Sequence, residues 1–126
     1  MKKSYRLFLF IIAIVSIFFV GFSLCYAGFL SAVDYGVGNH PRLVFAADLD
    51  GDGDDDLATA NYSSNSVSIL VNNGDGTFVA AVNYAVGNRP ATVFAADLDG
   101  DGDNDLAVAN YYSDNVSVLL NNGDGT

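Results

Sequence analysis

The residues with the clearest chemical potential are Asp48-Leu49-Asp50-Gly51-Asp52-Gly53-Asp54-Asp55-Asp56, and the same spacing returns as Asp97-Leu98-Asp99-Gly100-Asp101-Gly102-Asp103-Asn104-Asp105. Carboxylates this close repel one another in a compact loop, so the loop needs either full solvation or a multivalent cation. Ca²⁺ suits it, being a hard cation that takes about six to eight oxygens at flexible angles. Asp48, Asp50 and Asp52 stand at positions one, three and five, Gly53 makes the sharp turn, Asp54 offers its backbone carbonyl and Asp56 closes the shell. Asp97, Asp99, Asp101, Gly102, Asp103 and Asp105 repeat these roles.

The EF-hand shares the first half of this pattern but ends on a bidentate Glu at its last position. Here that position is Thr59 or Val108, and the chain contains no Glu. The residues that follow, Leu57-Ala58-Thr59-Ala60-Asn61 and Leu106-Ala107-Val108-Ala109-Asn110, have the composition of a short strand. The expected site is therefore a calcium loop closed at position nine and flanked by strands.

These loops sit within a repeat. Residues 29–77 recur as 78–126, with roughly 35 of 49 positions identical. A period of this size marks propeller blades or other stacked units. Val44-Phe45-Ala46-Ala47 leads into the first loop, Val67-Ser68-Ile69-Leu70-Val71 starts with period-two alternation, and Asn72-Asn73-Gly74-Asp75-Gly76-Thr77 is turn chemistry. Phe78-Val79-Ala80-Ala81-Val82-Asn83-Tyr84 is a further expected strand, matched in the first unit by residues 29–35. Helical periodicity is absent after residue 28, so the expectation is an all-β protein of two four-stranded β-propeller blades.

The amino terminus has a different character. Met1-Lys2-Lys3-Ser4-Tyr5-Arg6 precedes an unbroken apolar run from Leu7 to Leu24, followed by Cys25-Tyr26-Ala27-Gly28. This reads as a signal peptide over residues 1–27, with an uncleaved membrane anchor as the alternative. Either form puts the remainder outside the cytoplasm, secreted or at the cell surface or in the periplasm. Cys25 lacks the small preceding residue that lipidation wants. The expected organisation is then 1–27, a first repeat over 28–77 and a second over 78–126.

Removal of Lys2, Lys3 and Arg6 takes the formal charge from −10 to −13, and eleven of the fifteen Asp lie in the two loops. Such a surface disfavours nucleic acid and anionic lipid as partners. Without cysteine after residue 27, bound metal is the available staple for a small exported domain.

Gly-Asn-x-Pro, then Val-Phe-Ala-Ala-Asp-Leu-Asp-Gly-Asp-Gly-x-x-Asp-Leu-Ala-x-Ala-Asn, then Val-Ser-x-Leu-x-Asn-Asn-Gly-Asp-Gly-Thr resembles the FG-GAP/VCBS repeat, which is related to the calcium-binding blades of the integrin α-chain propeller. The resemblance covers residues 29–126 and implies a blade with Ca²⁺ between its first two strands. A family propeller has more blades than the two encoded here. Further blades from the same gene, or other copies of the chain, are the expected completion.

Other candidates have plain readings. Tyr35, Tyr62, Tyr84, Tyr111 and Tyr112 could stack on sugar rings, but packing between sheets is the expectation. His40, Arg42 and Arg89 could meet an anionic ligand such as a uronic acid, although charged loop residues need no ligand. Asn61-Tyr62-Ser63 and Asn115-Val116-Ser117 fit the glycosylation sequon. With one His and no Glu, Cys or Lys after residue 27, no nucleophile with its base can be assembled, so no enzyme is expected. The function expected is binding or adhesion to an extracellular protein or carbohydrate. The rival is that these are blades of an exported polysaccharide-active enzyme whose catalytic part lies elsewhere.

Overall fold

The computed structural model describes residues 28–125, of which those from Val33 onward form one compact unit. The leader expected over residues 1–27 lies outside the described residues. Among the described residues there is no helix, and none long and apolar enough to cross a membrane. Seven strands follow in order: β1 (Pro41–Ala47), β2 (Asp56–Asn61), β3 (Ser66–Leu70), β4 (Val82–Ala85), β5 (Pro90–Ala96), β6 (Asp105–Asn110) and β7 (Asn115–Leu119). They form two antiparallel meanders, β1-β2-β3-β4 and β5-β6-β7.

The pairings explain where each strand stops. Each acidic loop joins the first two strands of its sheet, with Ala47 opposite Asp56 and Ala96 opposite Asp105. After β3 the Asn72 N–H turns to the Asp56 carboxylate at 2.8 Å instead of continuing the ladder. Asn72 therefore makes only an isolated bridge with Phe78, and regular pairing resumes at Val82 opposite Ile69. The expected strand over 78–84 is thus shortened to β4. The first sheet draws its fourth strand from the second sequence repeat, so sheets and repeats are offset.

Two expectations are corrected. The second sheet has three strands and not four, and residues 29–35 form no strand. β4 forms because β3 lies beside it; among the described residues no strand pairs with residues 29–35, and isolated extended chain is not stable in water. Tyr35 instead packs edge-on against Phe78, with ring centroids 5.5 Å apart, and its hydroxyl accepts the Phe78 N–H at 3.1 Å.

Alternation along the strands defines two unlike faces on each sheet. Ala58, Ala60, Val67 and Ile69 share one face of the first sheet, where Ala58 opposes Ile69 and Ala60 opposes Val67. They form one core with Val93, Ala95, Leu106 and Val108 of the second sheet. The latter correspond in the repeat to Val44, Ala46, Leu57 and Thr59, which lie on the opposite face of the first sheet. The sheets therefore stack head to tail. The equivalent of the first sheet's covered face is open on the second: Val67 is 0% exposed and its counterpart Val116 62%, while Ile69 is 8% and Val118 53%.

Between sheets, the chain enters each first strand across a polar pocket. The buried Asn61 amide donates to Ser66 Oγ at 3.2 Å and Ser68 Oγ at 2.7 Å, and Gly38 N donates to Ser68 Oγ at 3.1 Å. Gly87, Asn110 and Ser117 repeat the arrangement. A Cβ on Gly87 would stand 2.5 Å from Asn110 Nδ2 and 2.7 Å from Ser113 Oγ, so only glycine fits the approach. Asn61 is fully buried, which removes it as a glycosylation acceptor in the folded chain; Asn115 is exposed.

Candidate metal centre

Each acidic loop is shaped by its own carboxylates. Asp48 accepts the N–H of Gly51 at 2.8 Å through one oxygen and that of Gly53 at 3.1 Å through the other. Asp50 accepts from Asp52 N at 3.2 Å, and Asp52 from Asp54 N at 2.8 Å. The second loop repeats every bond: Asp97 with Gly100 and Gly102, Asp99 with Asp101, Asp101 with Asp103. Gly51, Gly53, Gly100 and Gly102 hold φ values of 78°, 93°, 86° and 99°. Other residues are strained there. Both glycines of each loop are thus turn residues, where the sequence suggested only the second.

Position nine anchors the loop to the sheet. Asp56 is fully buried; one of its oxygens accepts Leu49 N at 2.9 Å and the other Asn72 N at 2.8 Å. Asp105 does the same with Leu98 N and Asn121 N, both at 2.8 Å. These N–H bonds, that of Asn121 foremost, lower the Asp105 carboxyl below its ordinary value.

The structure brings Asp48, Asp50 and Asp52 together in the first loop, and Asp97, Asp99 and Asp105 in the second, each trio with carboxylate oxygens within 4.8 Å of one another. Oxygens on one Ca²⁺ at about 2.3–2.6 Å lie at most about 5 Å apart, so both trios fit that ion. Loss of hydration, with the Asp56 and Asp52 charges, raises the Asp50 carboxyl. At Asp99 the Asp101 N–H works downward, but lost hydration and the Asp101 and Asp105 charges outweigh it and the net shift is upward. Unneutralised, the closed loops resist full ionisation; a cation among these oxygens removes that resistance.

Asp54 and Asp103 direct their side chains to the neighbouring hairpin turn. A Cβ on Gly74 would lie 2.9 Å from Asp54 Oδ2, and one on Gly123 2.5 Å from Asp103 Oδ2. That orientation accords with a backbone role for position seven.

Reasoning from sequence missed position eight. Asn104 Nδ2 donates to the Asp48 carbonyl at 2.9 Å, and Asn121 Nδ2 donates to the Leu49 carbonyl and, at 3.0 Å, to that of Asn104. The second loop and its hairpin are thereby tied to the first loop. The Asp55/Asn104 difference between the repeats was the available signal, because only the amide can donate.

Residues 48–108 match the model of the FG-GAP-like repeat family. No curated protein and no solved structure matches the chain significantly.

Proposed function

We propose that this chain is an exported, calcium-stabilised, β-propeller-like repeat module that acts by binding an extracellular protein or carbohydrate and not by catalysis. The observation that carries the reading is the pair of all-oxygen clusters, Asp48/Asp50/Asp52 and Asp97/Asp99/Asp105, on repeat-equivalent loops between the first two strands of successive sheets. The donors are hard, anionic and too close for comfort without a cation, which matches Ca²⁺ chemistry. Asp56 and Asp101 complete the two sets by repeat equivalence, and Asp54 and Asp103 supply carbonyls.

The head-to-tail stacking supports the propeller-like arrangement. The second sheet meets the first with the repeat-equivalent of the first sheet's opposite face, so its own open face around Phe94, Val116 and Val118 takes a further sheet of the same kind. That sheet comes from the same gene or from another copy. The basic leader followed by the apolar run supports export. Calcium titration followed by both calorimetry and thermal unfolding tests the module; two sites and a raised melting temperature are expected.

A further inference from the structure

Far from the acidic loops, at the opposite ends of the strands, the two sheets frame an open cleft of about 340 Å³ lined by Tyr62, Ser63, Asn65, Asn88, Arg89 and Tyr112. The Arg89 guanidinium lies 4.6 Å from the Tyr112 ring centroid and 5.5 Å from that of Tyr62, and Arg42 lies 4.1 Å from Tyr62. Two cations thus converge on one ring. They are the only Lys or Arg residues among the described residues, and neither has a carboxylate partner there despite the abundance of Asp.

The cleft is also where the repeats diverge. Roughly 14 of 49 positions differ between the two units, and members of four differing pairs come together here: Arg89 (His40 in the first unit), Arg42 (Ala91 in the second), Ser63 with Tyr112, and Asn65 (Asp114 in the second). Drift that served packing alone has no reason to gather both cations and an added aromatic ring at one inter-sheet opening.

The backbone holds Arg89 in place. Its φ is 54°, a left-handed conformation that is strained for a residue with a side chain. Asn65 Oδ1 accepts its N–H at 2.9 Å, and its carbonyl accepts the Tyr111 N–H at 3.0 Å. Asn65 belongs to the first sheet's β2–β3 turn and Tyr111 to the second sheet's turn, so the Arg89 backbone is tied to both.

We propose that this cleft binds the carboxylate or sulfate group of an acidic saccharide, an inference that rests on the binding-module reading and names its ligand class. Guanidinium forks bind such oxyanions in two parallel hydrogen bonds. The Tyr112 ring offers a flat apolar face, while Ser63, Asn65 and Asn88 offer donors and acceptors for ring hydroxyls. A saccharide uses all three features at once, its ring face on Tyr112, its hydroxyls on the polar side chains and its oxyanion on the guanidinium groups. The acidic loops do not oppose it. Six-residue strands separate the two ends by about 20 Å, more than twice the Debye length of about 8 Å at physiological salt.

The test is titration calorimetry on the full chain in constant millimolar calcium with three probes of equal length: a uronate oligosaccharide, a sulfated one and a neutral one. Binding of either charged probe, or both, with the neutral probe weaker by about tenfold or more, is expected and identifies the anion. Arg42→Ala with Arg89→Ala should abolish the preference, Tyr112→Ala should weaken all binding, and Arg89→Lys should retain part of it. Equal binding of the neutral probe, no binding by any probe, or tighter binding of an acidic peptide overturns the proposal. So does loss of saccharide binding in Asp101→Ala but not in the arginine variants, because the metal would then hold the sugar. Calcium-dependent melting in the same samples separates the two readings: stabilisation without saccharide binding rejects the cleft alone.

Discussion

The side-chain amide of Asn104 donates a 2.9 Å hydrogen bond to the backbone carbonyl of Asp48, joining the eighth position of one acidic loop to the first position of the other. The two loops are therefore joined by direct hydrogen bonds through Asn104 and Asn121.

Asn104→Asp should remove that donor and set a carboxylate against a carbonyl oxygen. A loss of about 1–3 kcal/mol is expected in urea unfolding, with weaker calcium affinity at the first loop. Asp55→Asn changes an exposed side chain and should be nearly silent. Equal effects of the two substitutions would mean that the inter-loop bond does not matter.

Position nine should matter with or without metal. Asp56→Ala and Asp105→Ala each strand two backbone N–H groups that now point at carboxylate oxygens. Each should cost about 2–4 kcal/mol. The loss should persist in chelator, whereas Asp52→Ala, which gives up only one exposed N–H bond without metal, should lose stability mainly when calcium is present.

The close approach of Gly87 to Asn110 gives a purely steric prediction. Gly87→Ala should destabilise by about 1–3 kcal/mol through overpacking. Gly36→Ala meets nothing within 4 Å and should be neutral, or stabilise by less than about 1 kcal/mol by restricting the unfolded chain. Thermal melts of the pair decide it; similar melting temperatures would contradict the packing described.

Calcium-free pH dependence should have an unusual sign. Asp50 and Asp99 are raised above the ordinary carboxylate value, so the folded state binds their protons more tightly than the unfolded state does. Stability from these two groups therefore rises as pH falls through their elevated values toward the unfolded value. Asp105 and Asp75 are lowered, Asp105 by the Asn121 and Leu98 N–H bonds and Asp75 by the Thr77 hydroxyl and N–H. Their contribution is present above the unfolded value and is lost as pH falls through the folded one. In chelator the melting temperature should pass through a maximum in mild acid; with calcium that acid-side gain should vanish. A monotonic fall on acidification in chelator would contradict the strain assigned to the loops.

Much of this was legible in the sequence because the repeat fixed its own register. Alternation in Val67-Ser68-Ile69 and the turn chemistry of Asn73-Gly74 placed β3 and the hairpin, and odd-numbered loop positions gave the convergent carboxylates. Strand limits were less legible. Val79 to Ala81 has β composition, yet Asn72 spends its N–H on Asp56, a contact 16 residues away that local pattern does not encode. Residues 29–35 read as a strand by homology with the second unit, but a strand exists only beside a partner. The Arg42, Arg89 and Tyr112 cleft was hidden for the same reason: its members lie in separate turns, and only stacking of the sheets brings them together.

The central claim is that clustered Asp side chains close around calcium and that this closure stabilises the fold. Thermal unfolding of the full chain in millimolar calcium against chelator tests it most directly. Extracellular calcium modules bind at about 10⁻⁴–10⁻³ M, and tenfold excess over Kd contributes about 1.4 kcal/mol per site. The account predicts a melting temperature several degrees higher in calcium, with half of the gain lost in Asp52→Ala and half in Asp101→Ala. A melting temperature unchanged between calcium and chelator would contradict it.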